Sequence, residues 1–275
     1  MISINTDIPN LVAQRNLSSI IQTQSKAMEK LSSGYRINSA ADDAAGLFIG
    51  KNLEAQLRGY SQTIQNAQTA SNFLAVADGA LSNVSDMLMR ARDLTIKASS
   101  SLNSPDATSA IQKEINLIYE QVNQTLGGTE FNGKHLFSPQ TSGSTPEDPF
   151  IITVDPGSSV DAAVSYDSNI TAFLPVDVSS PDAAAAALKQ IDAQLAEVNT
   201  KRADIGAQTN RLSSVIQAQT TSSINIASAH STVMDTDIAA MMSKLVQTKT
   251  LSEFLVKAFN ISNESAKSLL KLMGT

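Results

Sequence analysis

The sequence contains no cysteine and no tryptophan, and both absences limit the chemistry open to the protein. Without cysteine there can be no disulfide, no thiolate nucleophile and no thiolate metal ligand. Aromatic residues make up only 4% of the 275 residues, whereas hydrophobic residues make up 42%. The buried surface must therefore come mainly from Ala, Leu, Ile, Val and Met, which favours helices packed on helices.

Positive charge is also scarce. The chain has 20 basic and 26 acidic residues, with a formal net charge of -6. This balance argues against a surface that neutralises phosphates, so nucleic acid is not an expected partner. No apolar run approaches the roughly 20 residues that cross a bilayer, and the first residues lack the basic and apolar segments of a cleaved signal. We expect a soluble protein without membrane insertion.

Proline is nearly absent from most of the chain and concentrated in one stretch. Six of the eight prolines lie between residues 138 and 182. Because proline interrupts helices, this concentration predicts a small β or loop insert between two helical arms. Residues 150–154, 162–166 and 172–178 are short and rich in β-forming residues, so we expect them to be strands.

The arm before the insert carries apolar residues at helical spacing. They predict a long helix over 70–98, and Leu74, Leu81 and Leu88 widen its apolar stripe. After a break at residues 103–105, a second stripe runs to Gly127 and Gly128, which predicts an antiparallel helical hairpin. The two stripes are Ala70, Phe73, Ala77, Ala80, Val84, Met87, Ala91, Leu94 and Ala98, and then Ile111, Ile115, Ile118, Val122 and Leu126.

The arm after the insert begins with Ser180, Pro181 and Asp182, a typical start of a helix. Polar residues in phase with its stripe, His230 among them, are expected to fix the register of packing. We interpret His230 as a packed residue in preference to a proton switch. The stripe consists of Ala184, Leu188, Ile191, Leu195, Val198, Arg202, Ile205, Thr209, Leu212 and Ile216.

Both ends of the chain carry amphipathic stripes without a globular body to cover them. An isolated helix of this length is marginal in water. The two ends could pair, but a pair buries only one face of each helix, so the remaining apolar surface points to other copies of the chain. The stripes are Leu17, Ile21, Gln24, Met28 and Leu31, and Ile238, Met241, Met242, Leu245, Val246, Leu251, Leu255 and Phe259.

Several segments match those of a known family. Residues 31–46 read LSSGYRINSAADDAAG, residues 88–98 read LMRARDLTIKA, and residues 130–137 read EFNGKHLF. Near the other end, residues 201–212 read KRADIGAQTNRL and residues 235–239 read DTDIA. These segments resemble the bacterial flagellins, and the resemblance covers roughly residues 1–137 and 182–240. Residues 244–259 depart from the family pattern.

The resemblance implies a mainly α protein: an elongated rod of long antiparallel, coiled-coil-like helices with paired terminal helices and a small β or loop insert. It assigns residues 1–45 and 235–275 to an inner-tube domain, 46–137 and 182–234 to a rod domain, and 138–181 to a short variable insert. The implied function is that of a non-enzymatic structural subunit of the flagellar filament, located outside the cell.

Filament assembly is the role that the resemblance gives to the chain ends and to the segment between the first two helices. Gly34 is typical of a helix C-cap, Asn38 and Ser39 of caps for the next helix, and Asp42 and Asp43 of a helix N-terminus. An ordinary helix–turn–helix joint is the alternative interpretation. The assembly residues implied are Leu17, Ile21, Met28, Leu31, Gly34, Arg36, Asn38, Asp42, Asp43, Ile238, Leu245, Leu255, Phe259, Leu269 and Leu270.

The resemblance also implies partners. The chain would polymerise with its own copies, leave the cell through the flagellar export apparatus with a secretion chaperone at its C-terminal region, and meet hook-associated and cap proteins. Arg90, Leu94 and Glu114 match positions through which similar flagellins contact an innate immune receptor of animals. Alternatively, Arg90 and Glu114 form a solvated pair and Leu94 belongs to the apolar stripe. No cofactor or metal is implied.

Other functions have weaker support in the sequence. The segment 46–51 (GLFIGK) has too few residues between its glycines for a phosphate loop, and the only two histidines are far apart. Asn169 could accept a glycan, as could Thr141, Ser142, Ser144 and Thr145, although a plain polar loop is the preferred interpretation of that cluster. A hook–filament junction protein and a monomeric adhesin are the alternative classes.

Overall fold

The computed structural model describes residues 8–140, 150–153, 163–167 and 169–273. Five helices account for most of these residues, which confirms the mainly α class. The helices are α1 (Ile8–Ser33), α2 (Ala44–Ala98), α3 (Pro105–Gly128), α4 (Pro181–Met234) and α5 (Ile238–Met273). In the described part of the chain between α3 and α4 there are six short strands.

The chain forms two compact units. The terminal unit contains the described residues up to Leu57 together with those from Ile224 onward, and the central unit contains Arg58–Ser223. Helices α2 and α4 contribute to both units. The finer division into inner tube, rod and insert stays a prediction.

The core of the central unit consists of the apolar stripes of α2, α3 and α4. Leu74, Leu81 and Leu88 are fully buried, which confirms that the stripe on α2 is wider than a single seam. The predicted stripe on α4 is also buried at Ala184, Ile191, Val198, Ile205 and Leu212. Three helices therefore share one apolar interior, as the period of each stripe indicated.

Helix α3 begins where the break in the pattern predicts. The side chain of Ser104 accepts a hydrogen bond from the backbone N–H of Ala107 at 3.2 Å, and Pro105 is the first helical residue. Such a cap and first-turn proline together define a helix start. The helix ends at Gly128, although neither Gly127 nor Gly128 has a positive φ.

Tyr119 is a core residue that the stripe of α3 did not include. Its ring is fully buried, whereas its neighbour Ile118 is only partly buried. The phenol donates a hydrogen bond to Gln194 Oε1 at 2.7 Å, so its polar atom has a partner. Burial raises the pKa of Tyr119 to about 12, and the phenol is neutral at physiological pH.

The strands between α3 and α4 form three two-stranded sheets among the described residues. Strands β4 (Phe150–Thr153) and β5 (Ala163–Tyr166) pair antiparallel and confirm two predicted strands, except at residues 154 and 162, which lie outside the described residues. The cluster at residues 141–145 also lies outside them.

Strands β3 (Ser138–Gln140) and β6 (Asn169–Thr171) pair in parallel. In β6, Nδ2 of Asn169, the predicted glycan acceptor, donates a hydrogen bond to Asp167 Oδ1.

Strands β1 (Glu130–Phe131) and β2 (Lys134–His135) form a hairpin that the sequence analysis did not predict. Asn132 and Gly133 both have positive φ, 53° and 75°. Two such residues are what a tight type I′ hairpin turn requires, and Asn-Gly is the strongest short-range signal for it. The signal was therefore present in the sequence.

The prediction of a strand over 172–178 is wrong. No described residue pairs with this segment as a neighbouring strand; instead, side chains of α3 bind its backbone. Gln112 Nε2 donates to the carbonyl of Val176 at 2.8 Å, and Gln112 Oε1 accepts from the N–H of Val178 at 2.7 Å. Asn123 Nδ2 donates to the carbonyl of Phe173 at 2.9 Å. Because these backbone groups belong to buried residues, they need partners, and amides on a helix can replace a neighbouring strand.

Replacing Gln112 by Ala should destabilise the central unit. Two backbone groups next to the buried side chains of Val176 and Val178 would lose their partners, at a cost of about 2–4 kcal/mol. Denaturant unfolding followed by circular dichroism measures the change. Gln121→Ala, at an exposed position of the same helix, is the matched control and should change the stability by less than about 0.5 kcal/mol. Equal stability of the two variants would contradict the role of Gln112.

Candidate functional site

The candidate site lies in the terminal unit and has two parts. The first, which we call the joint, consists of residues 34–50 and 233–236. Its first residue, Gly34, has φ 74° and donates its N–H to the carbonyl of Lys30 at 3.0 Å. A left-handed residue after the last helical turn is the usual C-terminal cap, so the prediction for Gly34 is confirmed.

The residues that follow Gly34 pair with the end of α4. Tyr35 forms an antiparallel bridge with Asp235, and the N–H of Thr236 donates to the carbonyl of Gly34 at 2.9 Å. Arg36 makes two contacts: its N–H donates to the carbonyl of Met234, and its guanidinium Nη2 to that of Val233 at 2.8 Å. The backbone leaving α1 is thus bonded to the backbone that leads into α5.

His230 lies beside this bridge. Its ring packs edge-on against Tyr35, with a centroid distance of 6.3 Å and an angle of 89° between the rings. Aromatic pairs favour this perpendicular arrangement. The contact agrees with the interpretation of His230 as a packed residue.

Asp42 and Asp43 have different functions in the turn before α2. Asp42 Oδ2 accepts hydrogen bonds from the N–H groups of Asn38 and Ser39, both at 3.2 Å, and these bonds hold the pKa of Asp42 below its usual value. Asp43 Oδ1 accepts from the N–H of Gly46 at 2.9 Å and is the cap of α2. The prediction that Asn38 and Ser39 cap this helix is wrong, because an intervening turn places them as donors to Asp42.

Gly46 and Gly50 allow close packing on α2. A Cβ atom at Gly46 would lie 2.6 Å from Ile37 Cδ1, and one at Gly50 would lie 2.7 Å from Met234 Cγ. Both neighbours are buried. Since residues 46–51 continue a helix, their glycines serve side-chain packing and do not form a phosphate-binding loop.

The second part of the site is the terminal helix pair, formed by α1 and α5. Asn10 Nδ2 donates to Asn263 Oδ1 at 2.8 Å at one end, and the bridge of Tyr35 with Asp235 marks the other, so the helices are antiparallel. One stripe on each helix is buried or half-buried, and we call these stripes the seam. Its members are Asn10, Ala13, Leu17, Ile20, Gln24, Ala27 and Leu31 on α1, and Met241, Leu245, Thr248, Ser252, Leu255, Phe259 and Asn263 on α5.

A second set of apolar residues on the same helices is exposed, and we call it the outer face. Phe254 is 71% exposed, Ile238 60%, and Ile21 and Met28 51% each. Outer faces that are this apolar mark surfaces for association. The remaining large members are Ile8, Leu11 and Val12 on α1, and Met242, Val246, Leu251, Val256 and Ile261 on α5.

The structure divides the predicted assembly residues among these parts. It adds Phe254, Ile37 and Met234, which the sequence analysis did not single out. The side chains of Leu269 and Leu270 lie outside the described residues. Of the others, Leu17, Leu31, Leu245, Leu255 and Phe259 lie in the seam, Ile21, Met28 and Ile238 on the outer face, and Gly34, Arg36, Asn38, Asp42 and Asp43 in the joint.

The three residues associated with receptor contact lie in the central unit. Arg90 Nη2 and Glu114 Oε1 are 2.7 Å apart and join α2 to α3 through exposed side chains. Leu94 is partly buried against the core. The ion pair predicted by the alternative interpretation is therefore present, and an exposed pair of this kind contributes under about 1 kcal/mol. The receptor contact itself stays a prediction.

None of the helices in the described ranges has a stretch both long and apolar enough to cross a membrane. Within the same ranges, no group of three or more His, Asp or Glu side chains is arranged to hold a metal ion.

Comparison with known proteins identifies the family. The family model for the bacterial flagellin N-terminal helical region matches residues 4–142, and that for the C-terminal helical region matches residues 188–273. The chain is 31% identical over 277 residues to a flagellin of Halalkalibacterium halodurans, which covers 98% of this chain and 99% of that protein. With the same coverage, it is 31% identical over 301 residues to a flagellin of Bacillus subtilis. A flagellar filament 31.3 kDa core protein of Treponema maltophilum is 28% identical over 287 residues, again with 98% and 99% coverage.

The fold and the two matched helical regions define a structural protein of the bacterial flagellum. The chain belongs to the bacterial flagellin family and is a structural subunit of the flagellar filament. This assignment confirms the family resemblance and favours flagellin over a hook–filament junction protein.

Replacing Gly34 by Ala should weaken the filament. An Ala with positive φ costs about 1–2 kcal/mol per subunit, so filaments should dissociate at a lower temperature. Light scattering during slow heating measures this temperature. Gly79→Ala is the control, because Gly79 lies in the interior of α2 with open space around it, where Ala stabilises by about 0.5–1 kcal/mol. If Gly34→Ala and Gly79→Ala filaments dissociated at the same temperature, the strained cap would be irrelevant to the joint.

Proposed function

We propose that this chain assembles by burying the outer face of its terminal helix pair between neighbouring copies. The observation that carries the proposal is that α1 and α5 are apolar on two sides, and pairing them covers only the seam. Full burial of a side chain such as Phe, Leu, Ile or Met stabilises by about 1.5–3 kcal/mol. The outer face has nine such residues and three valines, which is ample to drive association.

The occupant of the outer face is a second copy of the same chain. A filament is built from many copies. Contacts between copies that do not close into a ring can repeat from one copy to the next, so the filament keeps growing. The terminal helices of a subunit become ordered only when neighbouring copies bury them. The free energy of folding these helices is therefore part of the free energy of assembly. Polymerisation should therefore be cooperative.

The joint has an indirect role in this mechanism. Gly34 and Arg36 bond the end of α1 to the chain before α5, while Asp42 and Asp43 organise the turn that starts α2. We infer that these residues, with Asn38, position the terminal helix pair for contact with neighbours. They need not touch another subunit.

The remaining partners follow from the family and from the exposed α5. We propose that the chain leaves the cell through the flagellar export apparatus, that a secretion chaperone covers its C-terminal region before assembly, and that the filament ends meet hook-associated and cap proteins. Exposed Phe254, Leu251 and Val246 support a chaperone that covers α5, because uncovered apolar surface promotes premature association. The role proposed for the chain is structural and not catalytic.

Replacing Phe254 by Glu should raise the critical concentration for polymerisation. A charge at this position removes about 1.5–3 kcal/mol of burial and adds the cost of desolvating a carboxylate, so the increase should be tenfold or more. Seeded growth, followed by light scattering over a range of subunit concentrations, measures this value.

Ser243→Glu is the matched control, since it places the same charge at an exposed polar position of α5. It should polymerise close to the parent. The central unit of both variants should unfold at the parent's denaturant concentration, which separates a loss of assembly from a loss of folding. Normal polymerisation of Phe254→Glu would show that the outer face is not an assembly surface.

A second proposed function is contact with an innate immune receptor through Arg90, Leu94 and Glu114. It is favoured by one observation: Arg90 and Glu114 present charged side chains side by side on an exposed surface shared by α2 and α3. Purified monomer should activate receptor-bearing cells, and Arg90→Ala should lower the potency at least tenfold if the guanidinium is desolvated at the contact. Arg92→Ala is the control, because Arg92 pairs with Asp192 of α4 instead. Inactive parent monomer would exclude this function.

A further inference from the structure

Far from the joint, a side-chain hydrogen bond between described residues of the seam links α1 to α5. Asn10 and Asn263 are both half-buried and are joined through Nδ2 and Oδ1 at 2.8 Å. Asn10 is 23 positions from the last residue of α1, Ser33, which corresponds to about 35 Å of helix. The joint fixes one end of the pair, and this hydrogen bond lies at the opposite end.

Apolar packing in the seam discriminates poorly between registers. Around Asn10 and Asn263, the seam consists mostly of Leu, Ile, Ala, Met and Phe at the same spacing on both helices. A slip of one turn would again place apolar residues opposite apolar residues. The same slip would place Asn10 opposite Phe259, and the hydrogen bond between the two amides would be lost. A half-buried amide that loses its hydrogen-bond partner loses stabilising free energy, so the amide pair penalises the slipped register.

Assembly creates a second competitor for correct pairing. Where several copies bring their terminal helices together, the free end of α1 can pair with α5 of a neighbour and produce a swapped subunit. A polar residue within an apolar helix seam is known to specify register and partner at some cost in stability. The asparagine pair has the composition and the position for this role.

We propose that Asn10 and Asn263 specify the pairing of α1 with α5, in one register and within one chain. The inference rests on the proposed burial of these helices among neighbouring copies, since that is where slipped and swapped pairings compete. Asn10 and Asn263 are specificity residues for assembly, and their contribution to stability is secondary.

The absence of cysteine makes a direct test possible. The reporter chain carries Leu17→Cys and Leu255→Cys, at seam positions about one heptad inward from the asparagine pair. Filaments are grown from seeds, oxidised and dissociated, and the disulfides are separated by non-reducing electrophoresis into intrachain and interchain products. A second reporter, Leu17→Cys with Ser252→Cys, both seam positions, detects a slip of about one turn. Each reporter is compared with and without Asn10→Leu and Asn263→Leu.

With both asparagines present, the first reporter should give mainly the intrachain product. Replacing both asparagines by leucine should lower the ratio of this intrachain product to the slipped and interchain products by about fivefold or more. The filaments should become no less resistant to heat. A purely structural pair would lower the heat resistance without changing the ratio. Asn16→Leu with Asn260→Leu, at exposed positions of the same helices, is the control and should leave the ratio unchanged.

An unchanged ratio in the chain with two leucines overturns the inference. Mainly interchain disulfides in the chain with both asparagines overturn it equally. Filament growth is measured by light scattering before oxidation, and the Phe254→Glu variant tests the outer face separately. Failure of the register inference is therefore distinguishable from failure of the proposed assembly mechanism.

Discussion

An α-helix that is apolar on two sides cannot be covered by a single partner helix, and this limit governs the terminal unit. Helices α1 and α5 bury one stripe against each other and leave another exposed, where Phe254 and Ile261 are the most exposed large side chains. The central unit does not have this problem, because three helices and the insert cover its wide stripe from several sides. One chain thus combines a region with a complete core and a region whose burial is incomplete.

The joint shows how backbone chemistry supports that arrangement. Gly34 supplies a left-handed residue, Asp42 collects two backbone donors, and Asp43 caps the next helix. Gly46 and Gly50 remove side-chain volume where Ile37 and Met234 pack. A segment with so many specific backbone requirements tolerates few substitutions, although no residue in it performs chemistry.

Polar side chains perform two different tasks in the two units. In the central unit, Gln112 and Asn123 satisfy the backbone of a buried extended segment and so replace a strand. In the terminal unit, Asn10 and Asn263 bind each other inside an apolar seam. The first arrangement allows irregular backbone to be buried, whereas the second discriminates between pairings that apolar contacts alone would leave nearly equal.

The sequence by itself determined the helices, their stripes, the cap at Gly34 and the family, because helical period, capping and turn chemistry are local properties that a short window of residues records. Even the hairpin at Asn132 and Gly133 has a local signal. Only the tertiary structure decided which apolar residues of α1 and α5 face the seam and which stay exposed, since a broad stripe is compatible with several orientations. It also decided that residues 172–178 bind to α3 and that Asp43, not Asn38 or Ser39, caps α2. These outcomes depend on neighbours distant in sequence, whose positions no local pattern contains.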